Sequence, residues 1–151
     1  MSWSRRGFLT RVVGVGATAA AVAEITACAT TSIYRTKIES GTVSIELETL
    51  AELMGESNAM IVSAPGLEEP ILILRSTASD GALADELSYS AIGSRCTHLG
   101  CRVRPSGQVL TCPCHGSAFG FDGVVRRGPA QKPLRRYDVE IHEGRLTVLG
   151  V

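Results

Sequence analysis

Apolar and polar positions in this chain alternate in short bursts of period two, and no helical period runs for long. Residues 42–47 alternate, and the apolar runs 59–64 and 71–75 flank a turn at 65–70, so three strands are expected there. A fourth, 89–94, leads into the most unusual part of the sequence. Beyond it, 101–104 is expected to pair with 108–112 around Pro105-Ser106-Gly107, and 118–121 to turn at Asp122-Gly123. Residues 134–142 and 145–149 should close the chain as a hairpin through Glu143-Gly144. Only 48–54 stays open between a helical turn and a loop. The expected fold class is therefore all-β. Residues 28–40, small and polar without a period, predict a tether ahead of one domain spanning 41–151.

Metal-binding chemistry is concentrated in two boxes, Cys96-Thr97-His98-Leu99-Gly100-Cys101 and Cys112-Pro113-Cys114-His115-Gly116-Ser117. Each holds a Cys and a His two or three positions apart, plus one further Cys. A structural zinc site is one reading, because Cys2His2 sets are common tetrahedral ligands. Zinc sites, however, more often pair Cys with Cys and His with His at wider spacings, whereas both boxes here mix the two. No nucleophile sits beside a base and no nicotinamide fingerprint is present, so no catalytic residue is assigned.

The two boxes resemble the Rieske iron–sulfur family, in which two thiolates hold one iron and two imidazoles hold the other. The resemblance runs from about Thr42 to Val148. It implies one 2Fe-2S cluster, with Cys96 and Cys112 on one iron and His98 and His115 on the other. It also implies the Rieske fold: three antiparallel sheets, with a small cluster-binding subdomain at about 93–133. In the quinol-oxidising cytochrome bc type the remaining cysteines form a disulfide, which Cys101 and Cys114 match. Gly128-Pro129-Ala130, running on to Pro133-Leu134, resembles the proline loop that covers a third side of the cluster.

Two neutral imidazoles in place of two thiolates leave the centre less negative and so easier to reduce: Rieske centres lie at roughly −150 to +300 mV. By the same resemblance Ser117 donates to a bridging sulfide. Phe119 stands where high-potential members carry a tyrosine, so it fills space but donates nothing. A potential in the positive range, below the highest members, is expected. Leu99 is expected to cover the cluster against water. Proton uptake is expected to accompany electron uptake at the imidazoles, so the midpoint should fall at alkaline pH. His142, a lone histidine late in a strand, is read as surface decoration.

Residues 1–27 read as an address rather than a fold. Ser4-Arg5-Arg6-Gly7-Phe8-Leu9-Thr10 looks like a twin-arginine export signal, and the apolar run 12–23 is too short to span a bilayer, which needs about 20 residues. Ile25-Thr26-Ala27-Cys28 fits a lipoprotein cleavage box and gives the fifth cysteine a role as an acylated first residue. An uncleaved anchor is the alternative. Either way the expected location is exported, membrane-anchored, at the periplasmic or outer face.

A formal charge of zero hides an asymmetry. Residues 28–92 carry three Lys/Arg against ten Asp/Glu, a net of −7, while 93–151 carry nine against four, a net of +5. Arg95, Arg102, Arg104, Arg126 and Arg127 flank the boxes and would steer an acidic partner. No basic run with interleaved aromatics points to nucleic acid. The expected function is one-electron transfer in a bacterial membrane chain, with a quinol-oxidising complex and a cytochrome as partners. The alternatives are a subunit of a periplasmic oxidoreductase such as arsenite oxidase, or an assembly lipoprotein with a structural cluster. A ring-hydroxylating dioxygenase ferredoxin is disfavoured by the extra cysteine pair and the export signal.

Overall fold

The computed structural model describes residues 31–77 and 87–151. In chain order its elements are β1 (Ser32–Arg35), β2 (Thr42–Glu46), α1 (Leu47–Met54), a 3-10 turn (Gly55–Ser57), β3 (Ala59–Ser63), β4 (Ile71–Thr77) and β5 (Leu87–Gly93). There follow β6 (Arg104–Ser106), β7 (Val109–Thr111), β8 (Ala118–Gly120), β9 (Val125–Arg127), β10 (Arg136–His142) and β11 (Arg145–Leu149). They form a seven-stranded sheet, ordered β1-β3-β4-β5-β10-β11-β2, and a four-stranded sheet, β6-β7-β8-β9.

The apolar runs in β3 and β4 explain how the two sheets meet. Ala59 to Val62 and Ile71 to Leu74 are all buried, because both faces of these strands are covered. One face, with Met60, Val62, Ile71 and Ile73, packs on Val43, Ile45, Leu146 and Val148 and on Leu50 and Met54 of α1. The other face, with Ala59, Ile61, Leu72 and Leu74, packs on Cys96, Val103, Leu110, Cys112 and Phe119 of the small sheet and its loops. A strand buried on both sides reads as a continuous apolar run rather than an alternation. Each fully buried Leu or Ile contributes about 1.5–3 kcal/mol, so this double burial is what fixes the small sheet on the large one.

The all-β expectation holds, and several boundaries move. Two of the three expected sheets are joined: β10 pairs with β5 through Arg136 and Tyr137, then with β11 from Asp138 to His142. One strand thus serves two ladders. The ladder of β1 on β3 is parallel, not antiparallel, and it places residues 32–35 in the sheet rather than in a tether. Ile33 and Tyr34 supply β-forming side chains whose weak pattern is decided by the edge of β3. Leu47 opens α1 instead of ending a strand, because Leu50 and Met54, one helical turn apart, are both buried.

The hairpin expected to turn at residues 105–107 turns at 107–108. Gly107 takes φ +61, and Pro105 lies within β6, an edge strand where a missing N–H costs no ladder bond. β10 begins at Arg136 rather than Leu134, since Leu134 N–H is bonded to Gly123 O (2.9 Å) in the small sheet's turn. β9 has no forecast counterpart: three residues, two of them exposed arginines, give no alternation. The closing hairpin forms as expected, with Glu143 and Gly144 both at positive φ as its two-residue turn requires. Residues 1–27, read from the sequence as an export signal, and Cys28, read as a lipidation site, lie outside the described residues.

Candidate metal centre

The two boxes form two loops of the same construction. In the first, Cys96 N–H bonds Cys101 O (2.8 Å) and Gly100 N–H bonds Cys96 O (2.8 Å). In the second, Cys112 N–H bonds Ser117 O (2.8 Å) and Gly116 N–H bonds Cys112 O (3.0 Å). Each loop therefore closes over six residues, with a glycine at its fifth position at φ +77 or +74. A side chain there would meet no neighbour, but the left-handed backbone itself disfavours one. The first loop sits on β5 through Ser94, and Val103 N–H bonds Ser94 O (2.9 Å). The second bridges β7 and β8, whose last pair is Thr111 with Ala118.

This geometry sorts the donors by depth. Cys96 and Cys112 open each loop, are buried, and are both free thiols. His98 and His115 lie near the loop tips, exposed, with ring centroids 4.9 Å apart and planes at 88°. Cys101 and Cys114 are joined in a disulfide across a Cα separation of 6.5 Å, as the resemblance implied. The sulfurs of Cys101, Cys112 and Cys114 lie within 4.8 Å of one another, yet two are spent in the disulfide, so that trio is not itself a metal site. Two buried thiols that remain free beside a formed disulfide, on the same pair of loops as two adjacent imidazoles, fit an asymmetric two-iron centre in number and chemical type.

A third loop closes over the pair. Ala130 N–H bonds Ser117 Oγ (3.0 Å), and Thr97 Oγ1 donates to Lys132 O (2.6 Å). Ser117 is fully buried, and because its oxygen accepts from Ala130, its own O–H remains free to donate. Phe119 is fully buried in the same apolar cluster as Cys96 and Cys112. Leu99, next to His98, is 68% exposed.

The five flanking arginines are all exposed. Arg126 pairs with Asp122 (2.8 Å) and Arg127 donates to Gly116 O (3.0 Å). Arg95, Arg102 and Arg104 have no carboxylate partner within 4.0 Å among the described residues. His142 is exposed, 3.9 Å from Glu143 at the far hairpin, and takes no part in the site. Sequence reasoning missed Thr97 and the structural roles of Gly100 and Gly116; a glycine four residues after the first cysteine of each box was the available signal. It also missed Ser94, whose buried Oγ has no hydrogen-bond partner among the described residues. Ser94→Ala is expected to raise stability by about 1 kcal/mol, read as a higher urea midpoint.

A model of the Rieske [2Fe-2S] domain matches residues 52–138. The cytochrome b6-f complex iron-sulfur subunit of Chlorobaculum tepidum is 40% identical over 63 residues, 40% of this chain and 35% of that protein. Cytochrome b6-f complex iron-sulfur subunit 1 of Synechocystis is 32% identical over 96 residues, 61% of this chain and 54% of that one. The chain thus matches about a third to a half of the length of these curated relatives. In fold it is like the cyanobacterial plasma membrane Rieske protein of Synechocystis PCC 6803, with a TM-score of 0.53 at 24% identity, covering 70% of this chain and 97% of that one. With more than half its length matched by the family model, and with paired loops carrying free thiols, imidazoles and a disulfide, this chain belongs to the Rieske [2Fe-2S] family of electron-transfer proteins.

Proposed function

We propose that Cys96 and Cys112 hold one iron of the 2Fe-2S cluster and His98 and His115 the other. On this reading the chain passes single electrons from a quinol-oxidising membrane complex to a cytochrome. One observation carries it: the free thiols are buried while both imidazoles lie on the surface at adjacent loop tips. Bound there, the cluster supplies a one-electron couple, and the rest of the work falls to the protein.

The buried side holds sulfur away from water, among Leu72, Leu110 and Phe119. The exposed side offers the imidazole edges to a partner, each with a ring nitrogen that can carry a proton or a hydrogen bond. Leu99, exposed between them and Gly100, gives that contact an apolar point. Arg95, Arg102 and Arg104 leave positive charge around it that favours an acidic acceptor and a reduced, more negative centre. Relatives that are subunits of cytochrome b6-f complexes support the quinol-oxidising context. We further propose export by the twin-arginine route and anchoring through an acylated Cys28, which would keep the domain at the outer or periplasmic face of the membrane; mass spectrometry of the membrane form tests this, and a mature chain beginning before Cys28 without acyl groups removes it.

The reading is tested by potentiometric titration of the purified protein, followed by reduction of a cytochrome across a salt series. A positive midpoint and a rate that falls with ionic strength are expected; a midpoint well below zero sinks the quinol assignment. Phe119→Tyr should raise the midpoint by about 40 mV. That is the equivalent, for a one-electron couple, of about 1 kcal/mol from one added hydrogen bond to sulfur in the reduced state. No shift, with the fold intact, would remove position 119 from the tuning set.

A further inference from the structure

We infer that Glu69 is the positioning residue that sets the backbone entering the first metal loop, an inference that rests on the assignment of Cys96 as a ligand. Residues 93–95 carry the chain from β5 to Cys96, and one short segment grips all three. Ser94 N–H bonds Pro70 O (3.0 Å). Arg95 N–H bonds Glu69 Oε2 (2.7 Å). The Glu69 carboxylate also occupies the space a Cβ on Gly93 would need, so Gly93 is small because the carboxylate lies there.

The Arg95 amide needs this outside partner. Arg95 and Arg102 face each other across the base of the loop, and the hydrogen bonds of that small hairpin run through their neighbours, Val103 N–H to Ser94 O and Cys96 N–H to Cys101 O. Arg95 and Arg102 are therefore the pair that exchanges no backbone bond, and the Arg95 N–H points away from its own hairpin. A carboxylate is a stronger acceptor for it than water or a neutral carbonyl. Glu69 is half-buried and bonds the Arg95 amide, whereas its neighbour Glu68 is exposed and pairs with Arg135 (2.6 Å). Two adjacent carboxylates thus differ in role: one holds the peptide next to a ligand cysteine, the other sits in solvent.

The test is a set of variants of the whole protein, Glu69→Ala, Glu69→Gln, Gly93→Ala, the double variant Glu69→Ala/Gly93→Ala, and Glu68→Ala as control. Loss of visible absorbance in chelator and the paramagnetic spectrum of the reduced form report on the centre. Glu69→Ala should lose absorbance about tenfold faster than the parent and alter the spectrum, while Glu69→Gln, which keeps an acceptor oxygen, should restore both toward the parent. Gly93 has no positive φ, so alanine there strains no backbone; its Cβ would instead displace the carboxylate and reproduce Glu69→Ala. The double variant should then be no worse than either single one.

Parental rates in Glu69→Ala, additive effects in the double variant, failure of glutamine to rescue, or an equal effect of Glu68→Ala would each overturn the inference. Amide exchange at Arg95 provides a readout that needs no metal: it should accelerate in Glu69→Ala and not in Glu68→Ala, and unchanged exchange sinks the role of Glu69 outright. A parent with no cluster but with a protected Arg95 amide would instead place the failure in the ligand assignment.

Discussion

Replacing His115 by alanine is expected to leave a folded but colourless protein. The ring is exposed, so its removal opens no cavity, and surface substitutions of this kind change stability by no more than about 0.5 kcal/mol. The core inside the curled sheet, from Val43 to Val148, includes none of the metal-loop residues and should be untouched. Loss of iron and acid-labile sulfide with an unchanged urea midpoint of the metal-free form would therefore report ligation, not folding. The buried cysteines make a less clean test: Cys112→Ser should also abolish the centre, but it places a hydroxyl in an apolar cluster and adds a desolvation cost of its own. A His115→Ala protein that kept full iron, sulfide and the paramagnetic signal on reduction would end the proposed ligand set. A single tetrahedral zinc in the parent protein would do the same, and metal analysis separates the two.

Breaking the disulfide should have the next largest effect. Cys101 and Cys114 are 13 residues apart, and closing a loop of about that length removes roughly 3 kcal/mol of denatured-chain entropy in the chain-entropy model. Beyond the disulfide the loops meet through the His98 and His115 rings and the apolar cluster beneath, and among the described residues no side-chain hydrogen bond runs directly from one to the other. Thr97 reaches Lys132 and Ser117 reaches Ala130, so each loop is tied to the third rather than to its twin. Cys101→Ser/Cys114→Ser is expected to lower the urea midpoint of the metal-free protein by the equivalent of about 2–3 kcal/mol and to release the cluster faster. The parent in strong reductant should fall to the same midpoint, and the variant should not respond to reductant at all. A parent equally stable with its disulfide fully reduced would show that the third loop alone holds the pair together.

The two predictions probe residues that were legible in the sequence to different depths. Spacing marked two neighbouring boxes that mix Cys with His, because metal ligation demands particular side chains at short, fixed offsets, and the family resemblance then implied Cys96, His98, Cys112 and His115 as the ligand set. Pairing of Cys101 with Cys114 came only with the family resemblance, since spacing leaves cysteine partners open. The strands around Ile61 and Leu72 were equally legible, since doubly covered strands leave continuous apolar runs.

Other features left no such trace. The strand at Ser32–Arg35 has only four residues, and what makes it a strand is the free edge of Ala59–Ser63, more than twenty residues away in the sequence. The switch of Arg136–His142 from one ladder to another is set by which neighbour each half meets. Glu69 is the plainest case: nothing in the local sequence separates it from Glu68, and only the approach of residues 93–95 gives one carboxylate a backbone amide and the other a surface arginine. The sequence by itself determined the two mixed Cys/His boxes, the fold class and the double-faced apolar strands, because these are local in spacing or period. The tertiary structure alone decided which thiols are buried, which rings are exposed and which carboxylate touches the loop, because burial and hydrogen bonding depend on chain segments that meet only when folded.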